Sequence, residues 1–107
     1  MIAIEIGYAN NAVRSVFSDF RRLEKKIGNV LSKCAKKRID SFIAATSYDE
    51  ILALNIGKPH SLTGDLFGFH AITMTANVRL IYKVSDNTII LKGVCDYHGQ
   101  KQNWIIP

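Results

Sequence analysis

The residues of this chain best suited to moving protons and holding an anion are few, and most lie in its second half. His60 precedes Ser61-Leu62-Thr63-Gly64-Asp65-Leu66, Arg79 interrupts the apolar run Val78-Arg79-Leu80-Ile81-Tyr82, and Asp96-Tyr97-His98 closes a stretch rich in β-branched residues. Asp96 and His98 are two residues apart, so in extended backbone both side chains project to the same side of a sheet. Brought onto one open sheet face, His60, Arg79, Asp96, Tyr97 and His98 would meet the needs of metal-independent RNA cleavage. That reaction needs a group to take the proton of a 2′-hydroxyl, a fixed cation for the scissile phosphate, and a proton donor for the leaving 5′-oxygen. Histidine titrates near working pH and serves in either proton transfer. Arginine binds phosphate oxygens through a planar fork that stays charged. Tyr97 could stack on a base or donate its hydroxyl to phosphate. Taken singly, an Asp or His at a strand end is more often a surface turn residue, and a cation on a central strand marks either a solvated sheet face or a site. His70, between Phe69 and Ala71, reads as a partly buried sheet residue.

The elements that must position these groups follow from periodicity. Ile2, Ile4 and Ile6 alternate with Ala3 and Glu5, the pattern of a short half-buried strand. Asn10-Asn11 ends it. Val13, Val16, Phe17, Phe20, Leu23 and Ile27 then recur at helical spacing, and Gly28-Asn29 offers a stop. Val30, Leu31, Cys34, Ala35, Ile39, Phe42 and Ile43 form a second stripe, with the lysines and Arg38 assigned to the opposite face. Two helices joined by two residues predict an antiparallel hairpin. Phe17, Phe20 and Phe42 fall on the stripes and are expected in the core. Ser47 with Glu50 gives a capping box for a short third helix over Ile51, Leu52 and Leu54. The period then switches to two over Phe69 to Thr75, Val78 to Val84 and Thr88 to Cys95, separated by turns at Ala76-Asn77 and Ser85-Asp86-Asn87. Trp104 is expected to anchor the tail. The fold class is therefore α+β, a helical hairpin packed on a twisted antiparallel sheet, in one domain spanning 1–107.

Composition narrows the function classes. The chain has 107 residues, 48 % of them hydrophobic, which suits one ordinary core and argues against disorder. Cys34 and Cys95 form no zinc or redox spacing and read as small hydrophobes in a reducing compartment, with no metal site and no cofactor expected. No apolar run approaches a membrane span and the amino terminus is not that of a secretory signal, so a cytoplasmic location and no membrane partner are expected. The net charge of +5 is unevenly placed. From Arg14 to Arg38 nine basic residues face two acidic ones, a local +7, while the remainder carries −2. Such a segment reads either as a solvated helix face or as a docking surface for a polyanion or an acidic protein.

His60-Ser61-Leu62-Thr63-Gly64-Asp65-Leu66-Phe67-Gly68, followed by Asn77-Val78-Arg79-Leu80 and closed by Asp96-Tyr97-His98, resembles the RelE/ParE toxin superfamily. Within it the pattern is most similar to the HigB-like "killer protein" branch. The correspondence in order and spacing runs over roughly Ser47 to His98, and the amino-terminal strand and hairpin agree in type. The resemblance implies a toxin of a type II toxin–antitoxin pair, a ribosome-dependent endoribonuclease that cuts translated mRNA in the 30S A site by 2′-hydroxyl attack without metal. It implies His60 and His98 as proton-transfer groups, Asp96 as an orienting group, Tyr97 at the nucleotide and Arg79 at the phosphate. Arg21, Arg22, Lys25, Lys26, Lys33, Lys36 and Lys37 would then dock on ribosomal RNA. A helix-turn-helix antitoxin is the implied partner, with operator DNA reached only through it. The family pattern has lysine where this chain has Thr63, and Lys58 or Lys83 are the cations that could replace it. Two other readings remain: a ParE-like inhibitor of DNA gyrase, for which the Asp96-Tyr97-His98 set has no use, and a weakened RNA- or antitoxin-binding homologue.

Overall fold

A computed structural model describes residues 3–98 and 101–106, with the side chains of 98, 101 and 102 outside that description. The order is β1 (Glu5–Tyr8), α1 (Asn11–Phe17), α2 (Phe20–Ala44), α3 (Tyr48–Ala53), β2 (His60–Ser61), a 3₁₀ turn at Gly64–Leu66, β3 (His70–Thr73), β4 (Val78–Ser85), β5 (Thr88–His98) and β6 (Lys101–Ile106). The sheet runs β1-β5-β4-β3-β2, and β6 also pairs with β5. The expected α+β architecture is present.

The helical layer departs from the predicted pair in one respect. The first helical stretch breaks at Ser18-Asp19, because Asp19 accepts a hydrogen bond from the Arg21 backbone at 3.0 Å and so caps a new helix. The predicted stop at Gly28 is real: this residue sits at φ 88 and ψ 170 inside α2. Phe17, Phe20 and Leu23 line one small groove together with Lys36 and Ile39. In an unbroken helix Leu23 and Ile39 would stand about 24 Å apart, so the chain folds back at Gly28 into the expected hairpin. Phe42 is buried and Phe17 half-buried, whereas Phe20, expected in the core, lies exposed at the rim of that groove.

The sheet is mixed, not wholly antiparallel as expected. β2 to β5 pair antiparallel in sequence, and β6 adds antiparallel to β5, but β1 runs parallel to β5 with Glu5 opposite Thr88 and Tyr8 opposite Leu91. No tight turn links β1 to β5. The helices and strands β2 to β4 lie between them in the chain and provide the long connection that a parallel pair requires. Ile4 is buried just ahead of β1, and Ile2 lies outside the described residues.

Two apolar clusters fix which face each strand residue occupies. The larger packs Val13, Leu23, Ala35, Phe42 and Ile51 of the helices on Ile72, Leu80, Tyr82, Leu91 and Val94. The smaller, on the opposite face, is Ala71, Ile81 and Cys95 with Leu62, Phe69, Tyr97 and Trp104 against them. Trp104 thus anchors the tail, as part of strand β6 opposite Cys95. Gly93 allows that strand to close in, since a Cβ there would collide with the Ile106 carbonyl. Cys34 is half-buried and Cys95 buried, both as free thiols. No helix is long and apolar enough to cross a membrane.

Candidate active site

Strand register decides which of the chemistry-bearing residues can meet. Cross-strand partners project to the same side of a sheet. Arg79 lies between Thr73 and Cys95, and Cys95 belongs to the small cluster, so Arg79 stands on the face away from the helices. Tyr97, two residues beyond Cys95, packs on that same cluster. His60 lies opposite Ala71, again a residue of that face. The register separates His60 and Arg79 by one intervening strand and two residues along it, about 12 Å between Cα atoms.

Asp96 departs from the convergence imagined for all five residues. It is opposite Val78, and Val78 belongs to the helix-side core, so Asp96 leaves the strand on the side opposite Tyr97. Successive strand residues cannot share a face. Asp96 can therefore support the end of β5 from behind and does not line the open face with Arg79. His98 ends β5 in register with Lys101, and its side chain lies outside the described residues.

The open face is fixed more by backbone than by ion pairs. The Arg79 guanidinium donates through Nη1 to the carbonyls of Thr75 at 2.9 Å and Ala76 at 3.0 Å, wrapping the tip of its own hairpin. Five donors on a rigid fork leave capacity for an anion after such anchoring. Tyr97 is tied at its backbone, its N–H donating to the Asn77 carbonyl at 2.7 Å. Its hydroxyl is buried without a hydrogen-bond partner among the described residues. Burial and the neighbouring Cys95 raise its pKa, while the Arg79 charge acts to lower it. The phenol therefore remains a proton donor at neutral pH, within the electrostatic reach of Arg79. A buried hydroxyl left unsatisfied is uncommon.

His60 is exposed, with Nδ1 3.3 Å from the Lys58 carbonyl, a contact that orients the ring from the loop before it. His70 is the sheet residue expected. It stacks on Tyr82 with ring centroids 5.7 Å apart and lies 5.6 Å from Tyr48, whose hydroxyl meets that of Tyr82 at 2.7 Å. Burial, with His60 nearby, lowers the His70 pKa.

Two contacts of the open face carry no signal in the sequence. Lys83 lies 5.9 Å from the Phe69 ring centre and Lys92 5.5 Å from that of Trp104, pairing cations with aromatic surfaces. Arg38 is the larger correction. Assigned with the lysines to the solvent side of the helix, it is half-buried and its Nε donates to the Thr73 carbonyl at 2.8 Å. The signal was present: Arg38 is three residues after Ala35 and four before Phe42, both fully buried. The other eight cations of the basic segment are exposed, Arg14 on α1 and Arg21, Arg22, Lys25, Lys26, Lys33, Lys36 and Lys37 on α2. Lys33, Lys36 and Lys37 line a shallow groove with Asp40, which pairs with Lys36 at 2.9 Å.

No protein-family model and no curated protein matches the chain. Solved structures do. The chain is similar to the YoeB dimer from Staphylococcus aureus at 26 % identity and TM-score 0.57, covering 90 % of this chain and 98 % of that one. A heterotetrameric YoeB–YefM toxin–antitoxin complex from the same organism aligns at 26 % identity and TM-score 0.56, over 89 % of this chain and 97 % of that chain. A YoeB/ParE toxin from Agrobacterium tumefaciens shares the fold at 15 % identity and TM-score 0.55, over 89 % and 100 %. These are toxins of the RelE/ParE superfamily, and the fold of this chain is theirs. They carry the resemblance at the level of the superfamily, not of its HigB-like branch.

Proposed function

We propose that this chain is the toxin of a type II toxin–antitoxin pair, of the HigB-like kind, and that it cleaves translated mRNA on the ribosome in the cytoplasm. The observation that supports this best is the near end-to-end likeness to a YoeB toxin structure, at 26 % identity over 90 % of the chain. His60, Arg79 and Tyr97, which share the open face, support it as well, while Asp96 leaves β5 on the other side.

In this reading the 2′-oxygen of one nucleotide forms a bond to the adjacent phosphorus as the bond from phosphorus to the 5′-oxygen breaks. One histidine of His60 and His98 takes the 2′-hydroxyl proton, and the other gives a proton to the 5′-oxygen. The products are a 2′,3′-cyclic phosphate and a 5′-hydroxyl. Arg79, held by the Thr75 and Ala76 carbonyls, meets the charge that grows on the phosphate oxygens and needs little reorganisation to do so. Tyr97 donates its hydroxyl to the same phosphate or stacks on a base. Asp96, on the other side of β5, acts as a positioning residue for the strand end. The exposed cations of α2 form a sequence-independent docking surface for ribosomal RNA. The proposed partner is a helix-turn-helix antitoxin, which would also be the only route to operator DNA.

The test is a translating extract programmed with a defined mRNA and given the purified protein. Cleavage within codons, abolished when translation is blocked, is the expected result. Intact transcripts overturn the reading, and a change in plasmid supercoiling without cleavage replaces it with inhibition of gyrase.

A further inference from the structure

Where the helical layer meets the tip of the β3–β4 hairpin there is a cavity of about 420 Å³, lined by Arg38, Gly57, Lys58, Thr73, Ala76 and Arg79 among others. It gathers three cations, and none of its lining residues is acidic. Like charges held together without an acidic partner repel one another, and an anion relieves that repulsion.

The cations come from three separate parts of the chain, and two are fixed by main-chain carbonyls. Arg38 reaches down from α2 to the Thr73 carbonyl at 2.8 Å, through Nε, which leaves the two terminal nitrogens of its fork. Arg79 is anchored on Thr75 and Ala76 from the other side. The loop of Lys58 is tied in by the Thr73 N–H, which donates to the Gly57 carbonyl at 2.8 Å. Thr73 thus holds Arg38 with its carbonyl and the loop with its N–H. Gly57 is at φ 65, and a Cβ there would lie 2.5 Å from the Ile72 side chain and 3.1 Å from Arg38 Nε. The loop therefore approaches Arg38 as closely as a glycine allows.

We propose that this cavity is a phosphate subsite in which Arg38, Lys58 and Arg79 hold a phosphodiester of the RNA strand next to the one that is cut. The proposal rests on the nuclease reading above and names how that site grips its substrate. Arg79 belongs to both the cavity and the open face, so a phosphate in the cavity is adjacent to the reacting one. The loop that supplies Lys58 continues directly into His60, whose ring contacts the Lys58 carbonyl. A strand leaving the cavity along this loop runs toward His60. Lys58 stands with Arg79 at the cavity, while Lys83 lies over Phe69.

The experiment uses the full chain, labelled for NMR, with a 2′-O-methyl tetraribonucleotide, which cannot be cleaved, and with inorganic phosphate. The oligonucleotide is expected to shift the amides of residues 55–58 and 73–79. Arg38→Gln and Lys58→Gln should each weaken its binding several-fold and lower the slope of log affinity against log salt by roughly 0.7. Arg14→Gln, removing an exposed charge outside the cavity, serves as the charge-matched control. In the extract, both cavity variants should raise KM with kcat retained, and Arg38→Lys should recover only part of the loss because it restores charge without the fork. Lys58 is exposed, so Lys58→Gln keeps the test decisive if Arg38→Gln does not fold. Cavity variants that bind and cleave like Arg14→Gln overturn the subsite and leave the nuclease reading standing. Inorganic phosphate binding as tightly as the oligonucleotide also overturns it. Oligonucleotide binding in the cavity by a protein that cuts no mRNA upholds the subsite and removes the nuclease.

Discussion

The helical hairpin and the hairpin end of the sheet use positive charge in opposite ways. On α2 seven cations are exposed, and the ion pairs they make, Lys36 with Asp40 and Arg22 with Asp19 at 3.8 Å, are solvent-facing and weak. At the sheet end there are only a few, but Arg79 and Arg38 are each held by backbone carbonyls. Long flexible side chains at a wet surface suit attraction that tolerates many orientations. A transition state needs charge that is already in place, because ordering it at the moment of reaction raises the barrier. The difference between the regions is therefore one of fixation, not of count.

The comparison can be broken most sharply at Arg79. Arg79→Ala should lower the cleavage rate by about 10²- to 10³-fold, the range found for removing one preorganised electrostatic donor, with the protein still folded by circular dichroism. A rate within threefold of wild type would place the essential cation elsewhere. Next comes the support beneath the fixed charges. Gly57→Ala should destabilise the fold by about 1–3 kcal/mol, because it puts a side chain at positive φ against Ile72 and Arg38, and the urea midpoint measures this. Neutralising Lys25, Lys26, Lys33 and Lys37 together should leave kcat alone. It should raise KM and flatten the salt dependence by roughly 0.7–0.9 per charge removed, as read from rates at several salt concentrations.

The smallest expected effect is on stability against pH. The pKa of His70 is lowered in the fold from 6.5 by burial and by His60. The unfolded chain then binds more protons than the folded one just below that value, so stability is complete above pH 6.5 and falls as the pH drops toward the folded pKa. His70→Gln should flatten that portion of the curve of urea midpoint against pH. An unchanged slope would assign it to another group.

Legibility in the sequence followed the same division. The meander and the fold-back at Gly28 were readable because strand alternation and a helix-breaking glycine are local signals. The break at Ser18-Asp19 was hidden, since the apolar stripe continues across it and only the Asp19 cap reveals it. β2, of two residues, is too short to show a period, and β6 exists because β5 offers it an edge. At the site, residue types were legible and their faces were not. Asp96 and Tyr97 read as one motif, yet strand alternation turns them apart. Arg38 read as one more surface cation until the burial of Ala35 and Phe42 placed it on the inner side of its helix.

The most direct test of fixed charge as the cutting element is a map of RNA 5′ ends in cells after brief induction, comparing wild type with Arg79→Ala at equal protein levels. The account predicts new 5′-hydroxyl ends inside translated reading frames with the wild type and their loss with the variant. Intact transcripts under wild-type induction, or the same ends produced by Arg79→Ala, would contradict it.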